Sequence, residues 1–271
     1  MAVIETAWAK LNLALHVRRR ETDGYHALET LFAFTEFGDT LAVAESEALT
    51  LCVSGEFAGA AGDGEENLVL RAARALESGR GAALRLEKRI PVAAGLGGGS
   101  ADAAAALRLL NRHWGLGRSV AELEAIGATL GADVAACVRG VTVRGEGRGE
   151  VLTPVSAVTG VPVLLVNPRV AVATGPVFRA WDGVDRGALP AGETLAVAKA
   201  ARNDLEGPAV GMAPAIAEVL AWLRGLAGVQ LARMSGSGAT CFALFGDEGA
   251  AVRAGAGVPG GWWGCVTRLR P

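Results

Sequence analysis

The stretch Ile90 to Leu107, IPVAAGLGGGSADAAAAL, decides how the rest of the chain is read. An extended segment stops at Pro91, the backbone passes through Gly95, Gly97, Gly98 and Gly99, and an alanine-rich run of good helix formers begins. Glycines without a Cβ let consecutive N–H groups close on an anion, and a helix N-terminus adds partial positive charge. Together these features predict a polyphosphate site. A lone glycine cluster is about as often a flexible loop, and its position directly before a helix argues against that here. Two common phosphate motifs fail. A Walker A loop needs a lysine after its last glycine, and none follows. A Rossmann fingerprint needs glycine where Ser100 stands, and needs it after the first strand of its domain.

Upstream, residues 7–17, AWAKLNLALHV, alternate with period two, which predicts a strand carrying Lys10 and Asn12 side by side on its less apolar face. The loop RRRETDG (18–24) leads through Tyr25 and His26 into an apolar run at 28–37, with further strands expected near 40–45 and 48–54. Segment 55–66 reads as loop, Asn67 as the N-cap of a helix LVLRAARALE, and 83–90 as a strand. Downstream, helices are expected at 99–113 and 119–129, and strands near 134–138 and 141–145. The texture turns to Gly, Pro, Thr and Ser over 146–162, which marks a domain boundary and divides the chain into 1–153 and 154–271. The second half predicts strands at 162–166, 229–233, 240–245 and 263–268, and helices near 175–181, 194–200, 204–210, 214–226 and 247–255. Strands and helices mixed in irregular order give an α+β class in both halves.

Composition narrows the function classes. Of 271 residues 51% are hydrophobic, enough for a sizeable core, and 38 are glycine, about double ordinary usage. A net charge of −2 provides no field for nucleic acid or for an anionic membrane. Cys52, Cys137, Cys241 and Cys265 lie far apart without a C-x-x-C pair, so reduced thiols are expected rather than a zinc site or disulfide framework. The N-terminal residues do not read as a signal peptide, and the longest uncharged stretch is broken by Pro154, Gly160 and Pro162. A soluble cytoplasmic protein without nucleic-acid or membrane partners is the expectation.

A third phosphate pattern, P-x-x-x-G-L-x-x-S-[SA], is met by Pro91, Gly95, Leu96, Gly99, Ser100 and Ala101, and it resembles the loop of the GHMP kinases. Other stretches add to the likeness: Ala9-Lys10-Leu11-Asn12-Leu13, Asp23-Gly24-Tyr25-His26 with Leu28, Glu66-Asn67-Leu68, Lys88 with Ile90-Pro91, Leu130-Gly131-Ala132-Asp133-Val134, Arg202 to Glu206, and Met234-Ser235-Gly236-Ser237-Gly238-Ala239. The last alone would be a generous hairpin turn; beside a phosphate loop it reads as a second set of backbone donors. D-G-Y-H with L-G-A-D-V resembles those GHMP kinases whose alcohol is 4-diphosphocytidyl-2-C-methyl-D-erythritol. Trp8 stands where such chains usually have proline, Ala101 where a second serine is common, and Asn167-Pro168-Arg169 lacks a frequent Pro-Gly.

The resemblance implies two domains with an active site in the cleft between them, and transfer of the ATP γ-phosphoryl group, with Mg²⁺, to the C2 hydroxyl of that cytidine diphosphate-linked polyol. It implies Asp133 as the base and Lys10 as its partner, although an isolated Asp after Gly-Ala more often caps a turn and a strand lysine is more often solvated. The phosphates fall to Pro91, Val92, Ala93, Ala94, Gly95, Leu96, Gly97, Gly98, Gly99, Ser100 and Ala101; Ser100 touches phosphate or caps its helix. Asn67 and Lys88 would flank the adenine, against plainer roles as helix cap and strand-surface lysine. Tyr25 and Phe178 would stack on the cytosine, with Asn12, His26 and Thr174 bonding to the substrate. Thr174 is equally ordinary as an N-cap, and Asp102 reads as a first-turn dipole partner outside the site. No protein metal ligands are assigned, and a monomer or weak homodimer is expected. Two other classes stay open: a GHMP kinase of homoserine or mevalonate-type alcohols, and a non-catalytic nucleotide-binding or redox protein.

Overall fold

The computed structural model describes residues 3–77 and 79–271. It opens with two long paired strands, β1 (Val3–Arg20) and β2 (His26–Ala44). Both outrun the sequence expectation, for identifiable reasons. Arg18 and Arg19 stay extended because each guanidinium finds a carboxylate, Arg18 on Glu29 and Asp185 and Arg19 on Glu21. Residues 26–44 form one strand rather than two because Gly38 lets the β1 backbone pass closely; a Cβ there would lie 2.3 Å from the Ala7 carbonyl oxygen.

The chain forms two compact units built from interleaved segments, and β1, β2 and the glycine loop each contribute to both. The first comprises Met1–Lys10, Phe37–Val92 and Gly97–Gly140. Here β3 (Leu49–Ser54) runs parallel to β4 (Ala82–Glu87), which is antiparallel to the end of β2, Thr40 opposite Glu87 and Ala44 opposite Ala83. β4 stops at Glu87 rather than 90 because the Arg89 and Ile90 amides bond to the Asp39 carboxylate. The helices are α1 (Ala58–Ala61), α2 (Leu68–Leu76), α3 (Gly98–His113), α4 (Val120–Leu130) and α5 (Val134–Arg139).

Asn67 caps α2 through Val69, and Ser119 with Glu122 forms a capping box on α4. Helix α3 is buried along Ala103, Ala104, Ala105 and Ala106 as well as Leu107, Leu109 and Leu110, so its small side chains admit α2 and α5 at close range. Residues 134–138 are the first five of helix α5, not a strand. A short apolar run does not separate a buried strand from a buried helix turn, and VAACV is buried throughout against α3 and α4.

The second unit comprises Leu11–Glu36, Ala93–Leu96 and Val141–Pro271. The hairpin of β5 (Val143–Glu146) and β6 (Val151–Pro154) pairs with the start of β2, Thr30 opposite Gly145. The texture change at 146–162 therefore holds a tight turn and a strand rather than only a linker. Beyond it β7 (Pro162–Asn167), β8 (Val229–Met234), β9 (Cys241–Phe245) and β10 (Trp263–Arg268) form an antiparallel sheet ordered β10-β7-β9-β8. α6 (Thr174–Arg179), α7 (Thr194–Ala200), α8 (Glu206–Met212), α9 (Ala215–Arg224) and α10 (Glu248–Ala256) complete it. Its core joins Leu164, Val166, Ala243 and Phe245 of the sheet to Ile216, Val219, Leu220 and Leu223 of α9 and Ala251 of α10. Each such buried leucine contributes about 2 kcal/mol. Among the described residues no helix is long and apolar enough to cross a membrane.

Candidate active site

In the first unit the glycine loop turns into α3. Gly97, at φ +63°, is the N-cap residue, and the first helical bond runs from the Ala101 amide to its carbonyl. The amides that open the helix therefore have no carbonyl within it to bond, which is the property an anion site needs. Lys10 and Asp133 meet beside this turn, Lys10 Nζ lying 2.9 Å from Asp133 Oδ2. A Cβ on Gly97 would be 3.0 Å from Lys10 Cε and 3.9 Å from Asp133 Oδ2, so glycine is required for this approach as well as for the positive φ.

The lysine side chain is 4% exposed and the aspartate 33%, so the pair opens to solvent on the carboxylate side. Asp133 precedes α5 but makes no side-chain cap bond; its backbone carbonyl receives the Cys137 amide while its carboxylate reaches Lys10. The ordinary capping role that its sequence setting allowed is thus not the one it has.

Lys88 is not a surface lysine. It is 2% exposed, and its ammonium contacts both the Asp39 and the Asp102 carboxylates, the latter at 2.7 Å. Asp39 also receives the Arg89 and Ile90 amides. A Cβ on Gly98 would lie 3.3 Å from Lys88 Nζ, so this buried cluster braces the start of α3. Burial works against charge on Lys88, but the two carboxylates outweigh it and raise its pKa. Burial, with the Asp39 charge adding to it against Lys88, pushes Asp102 up to about 8, and its Oδ1 is buried without a hydrogen-bond partner. Asn67 is equally engaged: it caps α2 and donates to the Gly62 carbonyl at 2.7 Å. Neither polar group is held out for an adenine in this structure.

In the second unit the earlier part of the loop is stitched to the second glycine turn. Ser235 Oγ donates to the Gly95 carbonyl at 2.9 Å, the Thr240 amide to the Ala94 carbonyl at 3.0 Å, and the Asn12 amide to Ser235 Oγ at 3.1 Å. A Cβ on Gly95 would collide with the Ser235 carbonyl oxygen at 2.2 Å. Asn203 holds that turn from below, donating to the Met234 and Gly236 carbonyls. The Asn12 side-chain Nδ2 donates to Thr30 Oγ1 at 2.7 Å. Leu96 and Ala101 are buried, so the loop offers backbone rather than side chains there. Pro91 is buried in the loop that follows β4, Val92 is exposed, Ala93 takes φ +52°, and Gly99 and Ser100 lie in the first turn of α3.

His26 is buried with its ring centroid 5.2 Å from Phe178 and 5.8 Å from Trp181. Burial, then the nearby Arg20 charge, lowers its pKa; Nε2 accepts from Arg20 Nε, which places the ring proton on Nδ1. Tyr25 is exposed. Thr174 does not cap α6. The helix begins at Thr174 itself, and its hydroxyl lies 3.0 Å from that of Ser237 in the second glycine turn.

Sequence reasoning missed Asp39, left Asp102 outside the site, and gave no role to Ser235, Ser237 or Asn203 beyond their motifs. Asp39 has no motif around it and becomes visible only once β2 and β4 pair. The described residues contain no group of three or more His, Cys, Asp or Glu side chains placed to hold a metal.

Comparison with known proteins follows the same lines. The GHMP kinases N terminal domain family matches residues 67–141 and the GHMP kinases C terminal family residues 186–261. A 4-diphosphocytidyl-2-C-methyl-D-erythritol kinase of Rhizorhabdus wittichii is 57% identical over 98% of this chain and 94% of its own length. One of Novosphingobium aromaticivorans is 54% identical over 100% of this chain and 94% of its own. The crystal structure of a 4-(cytidine 5'-diphospho)-2C-methyl-D-erythritol kinase superposes with a TM-score of 0.81 at 35% identity, covering 99% of this chain and 100% of that one. A homoserine kinase from Cytophaga hutchinsonii, at TM-score 0.75 and 19% identity over 99% of this chain and 95% of its own, shares the fold.

Proposed function

We infer the reaction from a premise these likenesses establish: the chain belongs to the GHMP kinases, and within them to the 4-diphosphocytidyl-2-C-methyl-D-erythritol kinases. It phosphorylates 4-diphosphocytidyl-2-C-methyl-D-erythritol with ATP as donor, a step of isoprenoid precursor biosynthesis. The acceptor is the C2 hydroxyl, and the products are the 2-phosphate and ADP. The observation that carries the assignment of chemistry is the Lys10–Asp133 pair set against Gly97.

The bond from the γ-phosphorus to its bridging oxygen breaks, the bond to the C2 oxygen forms, and Asp133 receives the hydroxyl proton. Because the transition state is largely dissociative, the hydroxyl becomes acidic only as the new bond forms, so a weak base within reach suffices. Lys10, fixed by burial, balances negative charge on the transferring group. The α3 amides and the carbonyl-stitched loop from Pro91 to Ala101 hold the phosphates; Asn67 and Lys88 act on the nucleotide side by shaping α2 and the start of α3. Tyr25 and Phe178 take the cytosine between them, with Asn12, His26 and Thr174 bonding to the polyol and its diphosphate.

Mg²⁺ fits a site of this kind. It keeps much of its own shell and binds through one or two carboxylates and the substrate phosphates, so no protein cage is needed. The Ser100 hydroxyl, in the first turn of α3, is the donor the loop would offer it. When bound, the ion neutralises phosphate charge. Residues 1–153 carry the nucleotide loop, the catalytic pair and Asn12, Tyr25 and His26 of the substrate contacts, and 154–271 add Thr174 and Phe178. The enzyme works in the cytoplasm as a monomer or weak homodimer on a small molecule.

A coupled ADP-release assay with the cytidyl alcohol, mevalonate and homoserine tests the reading. Turnover is expected with the first and a rate at least about a hundredfold lower with the others, whose structures bring no base to stack. Comparable rates on mevalonate or homoserine would overturn it.

A further inference from the structure

Tyr25 is the sole tyrosine of the sequence and is 58% exposed. It ends the short turn joining β1 to β2, which is closed by the Glu21 amide on the Tyr25 carbonyl at 2.8 Å and the Gly24 amide on the Glu21 carbonyl at 3.1 Å, with Gly24 at φ +86°. Its backbone is therefore fixed. Its side chain, standing in water, would keep rotamer freedom that stacking on a ligand must remove.

That freedom is limited by a residue from another turn. The guanidinium carbon of Arg148 lies 4.1 Å from the Tyr25 ring centroid, well inside cation–π range. Arg148 is itself held. Its guanidinium pairs with Asp23, whose Oδ1 accepts the Tyr25 amide at 3.0 Å. Its own amide donates to Glu150 Oε2 at 2.6 Å, and the Leu28 amide donates to the Gly147 carbonyl at 2.7 Å, tying the β5–β6 turn to the start of β2. Asp23, Tyr25 and Arg148 thus form a closed set in which one aspartate orients both the backbone of the tyrosine and the cation on its ring. The Tyr25 amide and then Arg148 hold the Asp23 carboxyl below its usual range, so the anion that anchors the guanidinium persists at neutral pH.

We propose that Arg148 is a positioning residue for pyrimidine recognition: it covers one face of Tyr25 and fixes the ring so that the other face is presented to the cytosine. The role rests on the functional reading above, in which Tyr25 stacks on the base. Arg148 touches no reacting atom. Its loss raises the KM for the cytidyl alcohol and leaves phosphoryl transfer and ATP binding in place.

A single tyrosine makes the proposal directly observable, because protein labelled with 3-fluorotyrosine gives one fluorine-19 resonance. In Arg148→Ala that resonance is expected to shift toward the value of a solvent-exposed fluorotyrosine peptide. The KM for the cytidyl alcohol is expected to rise about fivefold, with kcat and the KM for ATP within about twofold of wild type. Arg148→Lys, which keeps the charge, should recover part of both effects, and Asp23→Asn, which frees the guanidinium, should reproduce part of them. A wild type inert toward the cytidyl alcohol overturns the functional reading and this inference with it. An active wild type whose Arg148→Ala variant keeps its resonance and its KM overturns this inference alone, as does an equal loss across kcat and both KM values.

Discussion

Lys10 and Lys88 are both almost out of contact with solvent, both meet carboxylates, and both lie against neighbouring glycines of one loop, Lys10 at Gly97 and Lys88 at Gly98. Their carboxylates differ. The partner of Lys10 is a third exposed, whereas those of Lys88 are 0% and 6% exposed at the side chain. An ion pair open on one side can receive a hydroxyl and a phosphate. A closed one, with its charges already desolvated and its donors spent on Asp39 and Asp102, fixes backbone instead. The same residue types, placed a few ångströms deeper, change from chemistry to scaffolding.

The largest consequence falls on the open pair. Asp133→Asn removes the proton acceptor while keeping size, and turnover should drop about a thousandfold, with ATP binding little changed. Lys10→Met should lose activity to a similar order through the lost charge balance. Steady-state kinetics beside a nucleotide-binding titration measure both. A variant at either position that keeps a tenth of wild-type turnover would remove the distinction between the two lysines.

The closed cluster should respond in stability. Lys88→Met strips the ammonium from between two buried carboxylates, and urea unfolding should show a loss of about 3–5 kcal/mol. The folded fraction should still turn over, with a raised KM for ATP because Gly98 has lost its brace. A Lys88→Met protein as stable as wild type but catalytically dead would place Lys88 in the chemistry.

The two glycines divide in the same way. An alanine at Gly97 is strained by φ +63° and presses on Lys10 Cε at 3.0 Å, so turnover should fall about tenfold or more. An alanine at Gly98 has an ordinary helical φ and only side-chain tips of Ile90 and Lys88 to displace, at 3.2 and 3.3 Å. Its effect on turnover should be several times smaller. Equal effects would mean that the loop backbone, not Lys10, is what Gly97 protects.

How far the sequence could see follows from the same pair. Lys10, Asp133 and the glycine turn are local signals, a strand alternation, an acid in an apolar run and a helix start, and the structure brings them together. Most strands and helices of the second half also lie within a few residues of expectation, because Gly, Pro and Asn punctuate them. The misses depend on distant partners. Asp39 has no informative neighbours, and its role exists only because the β4 chain turns past it. Residues 134–138 fold as helix because α3 and α4 surround them, and Arg18 and Arg19 remain strand because carboxylates arrive from positions 21, 29 and 185. Thr174 had the right residue type for a cap, yet its hydroxyl faces Ser237, 63 positions away in sequence.

The smallest expected effect separates the two acids of the closed cluster. Asp39 takes two backbone amides as well as Lys88, so Asp39→Asn, which turns one of its acceptors into a donor, should cost about 2 kcal/mol or more. Asp102 is different: burial, with the Asp39 charge adding to it against Lys88, raises its pKa, so it holds a proton to higher pH than a free carboxyl does and an asparagine is a closer match here than at Asp39. Asp102→Asn should therefore cost less than about 1 kcal/mol at pH 7. The pH dependence gives the sharper comparison. The folded state holds a proton on Asp102 that the unfolded chain releases near 3.8, so this group's contribution to stability is complete below 3.8 and shrinks as pH rises, until it is gone above about 8. Its share of the slope is at most about 1.4 kcal/mol per pH unit. Urea midpoints measured from pH 6 to pH 9 should fall with pH in wild type and fall less in Asp102→Asn. Parallel profiles would mean that Asp102 carries no proton in the folded protein, and that Lys88 is balanced by two full charges rather than one.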